Sequence, residues 1–325
     1  MKVLVIGAAG MVGRKLVAAL LAAGQVNGRR IDNIHLADVV APSAPQTGIA
    51  ITTSAVDLST PEIGPELVAD RPDLIFHLAA IVSGEAEADF EKGYRINLDG
   101  TRYLLEAIRQ VGDGYRPRLV FTSSIAVFGE PLPATIPDTQ EHTPLTSYGT
   151  QKAICELLLA DYSRRGFVDG VGIRLPTIAV RPGKPNKAAS GFFSGIIREP
   201  LAGQEAILPV ADNVRHWFAS PRAAVRFLMH AAEIDTSLLG SQRNLTMPGL
   251  AATVGEQIAA LGRVAGAGAV ALIRRQPDET IAKIVAGWPQ AFEAKRASGL
   301  GFIAETSFDE IIRAHIEDEM GGRLS

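Results

Sequence analysis

Cysteine is almost absent: Cys155 is the only one in 325 residues. No disulfide can form within the chain, and a lone thiol inside an apolar helical pattern fits burial in a reducing compartment. Long apolar runs are also missing. The stretch from Met11 to Ala23 comes nearest but carries Arg14 and Lys15, so no segment has the roughly 20 uninterrupted apolar residues that cross a bilayer. Charge of one sign is nowhere concentrated. The 32 Lys and Arg residues against 35 Asp and Glu leave a formal net charge of -3. The basic doublets Arg29-Arg30, Arg164-Arg165 and Arg274-Arg275 lie far apart, unlike the clustered footprint of a nucleic-acid binder. The first residues lack the charged, apolar and small-residue regions of a secretory signal, which makes Asn244-Leu245-Thr246 a coincidental match to a glycosylation acceptor. The expectation is a cytoplasmic protein with no membrane partner, no nucleic-acid partner and no metal centre.

What is present is a core-forming composition, 47% hydrophobic and 21% charged, enough for one large domain or two sharing a cleft. The run from Lys2 to Ile6 has no polar alternation, as expected of a parallel strand covered on both faces. Gly7-Ala8-Ala9-Gly10-Met11-Val12-Gly13 follows, then a helical run from Arg14 to Leu21 that stops at Gly24. Glycines in such a turn let it be tight, let the backbone approach a pyrophosphate, and let helix and strand pack closely. Gly7, Gly10, Met11, Val12 and Gly13 are therefore candidate cofactor residues, although the spacing is Gly-x-x-Gly-x-x-Gly and not the commoner Gly-x-Gly-x-x-Gly.

Ile34 to Asp38 reads as a second strand whose terminal carboxylate can accept both hydroxyls of an adenosine ribose and would repel a 2′-phosphate, so NAD is favoured over NADP. His35, mid-strand among apolar neighbours, reads as a satisfied core histidine. A third strand over Ile49 to Thr52 is followed by Asp57 and Leu58, placed for the adenine. A fourth strand, Leu74 to Ala80, ends in Leu78, Ala79 and Ala80, which let the backbone pass close to a cofactor. A long helix is expected from Ala86 to Gln110, a fifth strand from Arg118 to Ser124 and a sixth from Gly170 to Leu175. Strands alternating with helices at this rhythm indicate an α/β protein with a Rossmann-like doubly wound parallel sheet and ligands at the strand carboxyl ends.

After Pro176 the rhythm breaks into Pro- and Gly-rich loops, short strands and helices. The expected division is a dinucleotide-binding domain over 1–176 and a smaller mixed α/β substrate domain over 177–325, with some segments returning to the first sheet. Ser307 and Glu310 are spaced as a capping box for a last helix, and Gly321-Gly322 as its stop.

Ser147-Tyr148-Gly149-Thr150-Gln151-Lys152 heads a helical apolar run, so Tyr148 and Lys152 share a face. A free tyrosine titrates near about 10, and an adjacent cation favours its phenolate. One lysine alone is a weak lever for a shift of several units, and a bound oxidised nicotinamide would add a second positive charge. Ser123 and Ser124, ending the fifth strand, should meet this pair.

These residues together make the chain resemble the extended short-chain dehydrogenase/reductase family, also called the NAD-dependent epimerase/dehydratase family. The resemblance is carried by Gly7, Gly10 and Gly13, Asp38, His77 to Ala80, Asn97, Thr122 to Gly129, the Tyr148/Lys152 pair and Arg174 to Thr177. It implies NAD as cofactor, Ser124 as the residue bonding the reacting oxygen, Tyr148 as the proton-transfer residue and Lys152 as the holder of the nicotinamide ribose. It also implies cofactor contacts from Asn97, Ser123, Leu175, Pro176 and Thr177. Phe128 stands where a tyrosine is common, with no catalytic consequence expected. Ile125 and Ala126 after Ser124 replace the acidic pair of dehydratases and speak against dehydration. The runs from Ile81 to Phe90, Ser147 to Ala153 and Arg174 to Asn186 look most like the branch that oxidises the C2 hydroxyl of four-carbon sugar acids, D-erythronate foremost. A nucleotide-sugar 4-epimerase and a non-enzymatic dinucleotide sensor are the alternatives. A small sugar-acid substrate would be met by Ser83 and Thr177 through hydrogen bonds and by Arg181, Lys184 or Arg215 through charge. The helices from Ala86 to Gln110 and Thr146 to Arg165 are the surfaces through which such proteins form homodimers.

Overall fold

Val3 to Ile6 are all buried, and the strand they form, β1 (Lys2–Ile6), lies inside a seven-stranded sheet. The other strands are β2 (Asn33–Asp38), β3 (Ala50–Ala55), β4 (Leu74–His77), β5 (Arg118–Ser124), β6 (Asp169–Leu175) and β7 (Asn244–Thr246), in the spatial order β7-β6-β5-β4-β1-β2-β3. The computed structural model describes residues 1–183 and 189–323; Lys184 lies outside the described residues. β1 pairs in parallel with both β2 and β4. The order therefore reverses between β1 and β4, the place where a parallel sheet opens a crevice at its carboxyl edge. Gly7 leaves β1 there and Leu78 leaves β4.

Three differences from the expected elements have local causes. The third strand covers Ala50–Ala55 and not Ile49 to Thr52, because it is an edge strand with no fully buried residue and so no apolar pattern to mark its end. The fourth strand stops at His77, where the chain turns across Gly7. The long helix is interrupted: Ser83–Ala88 ends at Asp89, whose extended backbone breaks the helix while its carboxylate accepts from Lys92 N. Helix resumes at Phe90–Gly93, widens to a π-turn over Tyr94–Asp99 and continues as Gly100–Val111.

Helix α1 (Met11–Ala23) buries Gly13, Leu16, Val17 and Leu20, and Gly24 closes it in the left-handed conformation with its N–H on Leu20 O. Helix α2 (Gly100–Val111) buries Leu104, Leu105, Ala107 and Ile108. Helix α3 (Ser147–Arg164) starts at Thr146, whose hydroxyl accepts from Gly149 N.

The chain divides into two units. The first is Met1–Val127, Pro144–Arg174 and Val225–Thr246, and the second is Phe128–Thr143, Leu175–Ala224 and Met247–Ser325. Phe128–Thr143 thus groups with the second unit although it lies within the first 176 residues, and β7 is supplied from far down the chain. The core of the second unit includes Phe193, Ile196, Ile197, Phe218, Ile311 and Ile312. Its three-stranded sheet runs Leu250–Thr253, Arg215–Ala219, Thr177–Ile178. In the last helix, Phe308–Glu319, Ser307 accepts from Glu310 N as a cap should, but the Glu310 carboxylate accepts from Thr306 N and Oγ1, so the box closes one residue early. Gly322 N reaches back to Ile316 O at the stop.

In the first unit, Asp169 ties β6 to its surroundings: its carboxylate takes Arg118 at 2.7 Å, Thr236 Oγ1 at 2.6 Å and Arg243 at 3.1 Å. Burial pushes that carboxyl up, but the Thr236 hydrogen bond and the Arg118 and Arg243 charges outweigh it and hold it below its ordinary value. A depressed acid stabilises the fold above its unfolded pKa and loses that contribution as pH falls through the folded value. Asp169→Ala should therefore cost about 2–4 kcal/mol in urea unfolding at neutral pH, leaving two arginines without their partner, and the difference from the parent should shrink in acid.

Candidate functional site

The glycine turn after β1 is built on approaches that no side chain permits. Gly7 sits at φ 91°, and a Cβ there would lie 2.7 Å from Ala79 N; a Cβ on Gly13 would lie 2.1 Å from Gly7 O. Gly7 N and Ala8 N both donate to Ala37 O, tying the turn to β2. Gly10 is the N-cap of α1 and offers no side chain, so the first-turn N–H groups of Met11, Val12 and Gly13 are not capped from the chain. A helix N-terminus free of a capping side chain, fronted by a backbone cradle, suits a pyrophosphate. The donor set fits a dinucleotide.

Asp38, at the carboxyl end of β2, accepts from Ala9 N at 2.8 Å and from Val39 N at 2.7 Å. The carboxylate is thereby fixed beside the turn. Val39 and Val40 beyond it are 70% and 66% exposed, with no basic side chain among the two. Asp57 accepts from Ser59 N at 2.9 Å, and the Ser59 hydrogen bonds hold its carboxyl below the ordinary value. The Leu58 side chain is part of the core, and a Cβ on Gly100 would sit 3.0 Å from it. Leu78, Ala79 and Ala80 remain half-buried around the Gly7 crossing.

Asn97, expected beside the cofactor, is buried. Its amide donates to Gln151 Oε1 at 2.7 Å and its carbonyl oxygen accepts from Ile81 N at 2.9 Å. It anchors the loop after β4 to α3 through the π-turn. His77 is likewise interior, bonded through Nε2 to Thr101 Oγ1, and burial and the nearby Lys152 charge push it down to about 3, so it is neutral. His35, half-buried, shares Nε2 with Ser54 Oγ at 2.8 Å.

The other end of the crevice is set by α3. A Cβ on Gly149 would lie 2.1 Å from Ala126 O, so the first turn of α3 rests directly on the backbone that follows Ser124. Gly149 is a packing residue that motif reading passed over; the signal was a glycine where helix propensity disfavours one by about 1 kcal/mol. Ser124 ends β5 half-buried, its Oγ accepting from Ala126 N. Lys152 is 2% exposed and donates to Thr122 O at 2.8 Å, with Nζ 5.7 Å from the centre of the Tyr148 ring and 4.7 Å from that of Phe121. Burial pulls this lysine down to about 8, with Cys155 and Glu156 acting against that shift.

The Ser123 side chain, expected beside the cofactor, turns to an internal partner. Its hydroxyl donates to the Glu156 carboxylate, which also receives Arg174 at 2.7 Å, and Arg174 reaches Thr246 on β7. This buried network, too, escaped sequence reading: Ser123 and Arg174 belonged to recognised motifs, but nothing in the spacing joined either to Glu156.

The remaining candidates lie in the second unit, apart from Ser83, which opens a short helix in the first. Thr177 Oγ1 is 2.7 Å from His216 Nε2, and His216 Nδ1 is 2.8 Å from Pro289 O. A carbonyl accepts only, so Nδ1 carries the proton and the Thr177 hydroxyl donates to Nε2. Burial, against the Pro289 contact, holds His216 down at about 4. Arg181 donates to Ile178 O and Ser190 Oγ, and Arg215 to Ala251 O with Glu256 at 3.5 Å. Both guanidinium groups thus have structural partners within their own unit. Leu175 and Pro176 begin the second segment of this unit, Leu175–Ala224. Among the described residues no group of three or more His, Cys, Asp or Glu side chains could hold a metal.

A parallel sheet reversing at β1/β4, a side-chain-free anion cradle at that point and an acid ending β2 define a dinucleotide-binding protein of the Rossmann-like class. The chain belongs to the NAD dependent epimerase/dehydratase family, whose model matches residues 3–237. It is 48% identical over 98% of its length to the D-erythronate dehydrogenase of Cupriavidus necator, of which 98% is covered. It is 43% identical, again over 98% of its length, to the D-erythronate dehydrogenase of Haemophilus influenzae, covered in full. A solved structure described as the nucleoside-diphosphate-sugar epimerase from Agrobacterium tumefaciens is 65% identical, with a TM-score of 0.98 over 100% of this chain and 96% of that one.

Gly13→Ala should weaken NADH binding by at least about tenfold, because the added methyl displaces Gly7 O and the turn with it. Fluorescence titration of NADH, with circular dichroism to verify folding, measures this; unchanged affinity would remove the glycine turn from the cofactor site.

Proposed function

We propose that the protein is an NAD-dependent dehydrogenase that oxidises the C2 hydroxyl of D-erythronate to the 2-oxo acid. The observation that carries the reaction class is the buried Lys152 ammonium facing the Tyr148 ring, on a helix seated by Gly149 behind Ser124. The substrate is supported by the two full-length relatives that carry that activity in their names.

In this reading Tyr148, as phenolate, takes the C2 hydroxyl proton while Ser124 Oγ fixes that oxygen. The Lys152 ammonium favours the phenolate and holds the cofactor ribose, and Thr122 O fixes where that ammonium sits. The oxidised nicotinamide supplies the acceptor for the C2 hydrogen with its electron pair. Gly7, Gly10, Met11, Val12 and Gly13 cradle the pyrophosphate, and Asp38 receives the adenosine ribose and excludes a 2′-phosphate, which selects NAD over NADP. Ser83, Thr177, Arg181 and Arg215 are the candidates for the substrate's hydroxyls and carboxylate. Thr177 has lone pairs to offer and Arg215 is part-exposed, whereas Arg181 would have to leave Ile178 O and Ser190. We place the protein in the cytoplasm as a homodimer, with Phe90 and Leu157, exposed on the helices leading into α2 and along α3, as the contact surface.

A second reading, nucleotide-sugar epimerisation, is favoured by the description of the 65%-identical structure. The two separate on whether reduced cofactor accumulates. With NAD⁺ and D-erythronate, NADH absorbance should rise with time; conversion of a UDP-sugar without net NADH would support the epimerase. Tyr148→Phe should lower kcat on D-erythronate by about 10²-fold or more while leaving NADH affinity within about twofold, measured by fluorescence titration. Near-normal turnover would take Tyr148 out of the proton-transfer role.

A further inference from the structure

A lysine ammonium is expensive to hold inside a protein unless an opposite charge stands nearby. Lys152 is interior, and its near surroundings are almost all neutral. From β5 it meets the Thr122 carbonyl and the Phe121 ring, and from β4 the neutral His77. From its own helix it meets Tyr148 and Cys155, whose thiol burial pushes up to about 11 and keeps protonated. Among the described residues, one carboxylate acts on Lys152. Glu156 lies one turn further along α3, on the same face, and is fully buried.

That carboxylate is held on several sides. Arg174 donates to it from Nε at 2.9 Å and Nη2 at 2.7 Å and Ser123 donates from β5, while Asn244 Nδ2 donates to the backbone carbonyl of Glu156 at 3.2 Å and not to the carboxylate. Thr122 and Ser123 are adjacent on β5, so Lys152 and Glu156, four apart on α3, dock on consecutive residues of the strand that ends in Ser124. We propose that Glu156 is a positioning residue: it clamps α3 to the carboxyl ends of β5 and β6 and supplies the counter-charge that keeps the Lys152 ammonium charged. The assignment rests on the reading of Tyr148 and Lys152 as a working pair. It extends that pair to a buried row of Arg174, Glu156, Lys152 and Tyr148 in which charges alternate up to the phenol. Arg174 has a separate duty: without it the Glu156 carboxylate would be buried unpaired and would take up a proton.

The test reads Lys152 directly, with no substrate present. Apo protein carrying isotope-labelled lysine is titrated by NMR, following the signal that disappears in Lys152→Met. Glu156→Gln, which keeps the shape and hydrogen-bonding capacity of the side chain but removes its charge, should lower the Lys152 midpoint by about one pH unit or more. Glu156→Asp, which keeps the charge, should leave it within about half a unit. Where Glu156→Gln does not fold because Arg174 is left unpaired, the double variant Glu156→Gln/Arg174→Met takes its place. A midpoint in the charge-removed variant equal to or above that of the parent overturns the proposal. Because no turnover is involved, inactivity of the parent on every sugar acid would sink the substrate assignment and leave this measurement readable.

Discussion

The site depends on places where backbone touches backbone. Gly13 lets α1 close onto Gly7 O, Gly7 lets the loop after β4 cross the end of β1, and Gly149 lets α3 close onto Ala126 O. A single methyl at any of the three would overlap a carbonyl or amide, and backbone cannot rotate aside as a side chain does. These contacts fix how far the anion cradle stands from β4, and how far the tyrosine helix stands from Ser124. The polar chemistry is then hung on a frame whose spacing is set by the absence of side chains.

Burial does different work in the two units. In the first, ionisable groups are taken into the interior and kept there by named partners: Lys152 on Thr122 O, Glu156 between Ser123 and Arg174, Asp169 among Arg118, Arg243 and Thr236. Such arrangements hold an ionisable group at one position. In the second unit, Thr177 is bonded to the His216 ring, Arg181 to a carbonyl and the Ser190 hydroxyl, and Arg215 to a carbonyl with Glu256 nearby, and Arg215 is part-exposed. Among the described residues, groups of that kind are held by hydrogen bonds within their own unit and not by buried charge pairs.

Much of the first unit was legible in the sequence because each signal there is local. Lys2 to Ile6, the glycine turn and Arg118 to Ser124 each announce themselves within a dozen residues, and Tyr148 and Lys152 are related by one helical turn. What stayed hidden lies where the side-chain partner is far away in sequence. Nothing local to Asn97 or Ser123 announced their bonds to Gln151 and Glu156, at separations of 54 and 33 residues. Leu58 follows an acidic residue near the adenine end, yet Gly100 leaves it room to turn into the core. The break at Asp89 was missed because an apolar period continues across it, while a side-chain cap on Lys92 N restarts the helix.

Cys155 has a consequence outside catalysis. It is fully buried, its Sγ lies 3.3 Å from Asn97 O, and burial leaves the thiol protonated across the working range. Maleimides and iodoacetamides attack thiolates that they can reach, so the native chain offers them nothing in its folded state. Any cysteine engineered onto its surface would then be the single reactive handle of the molecule. A fluorophore or spin label could be set on either unit without first removing a native residue, and labelling of Cys155 itself would report unfolding.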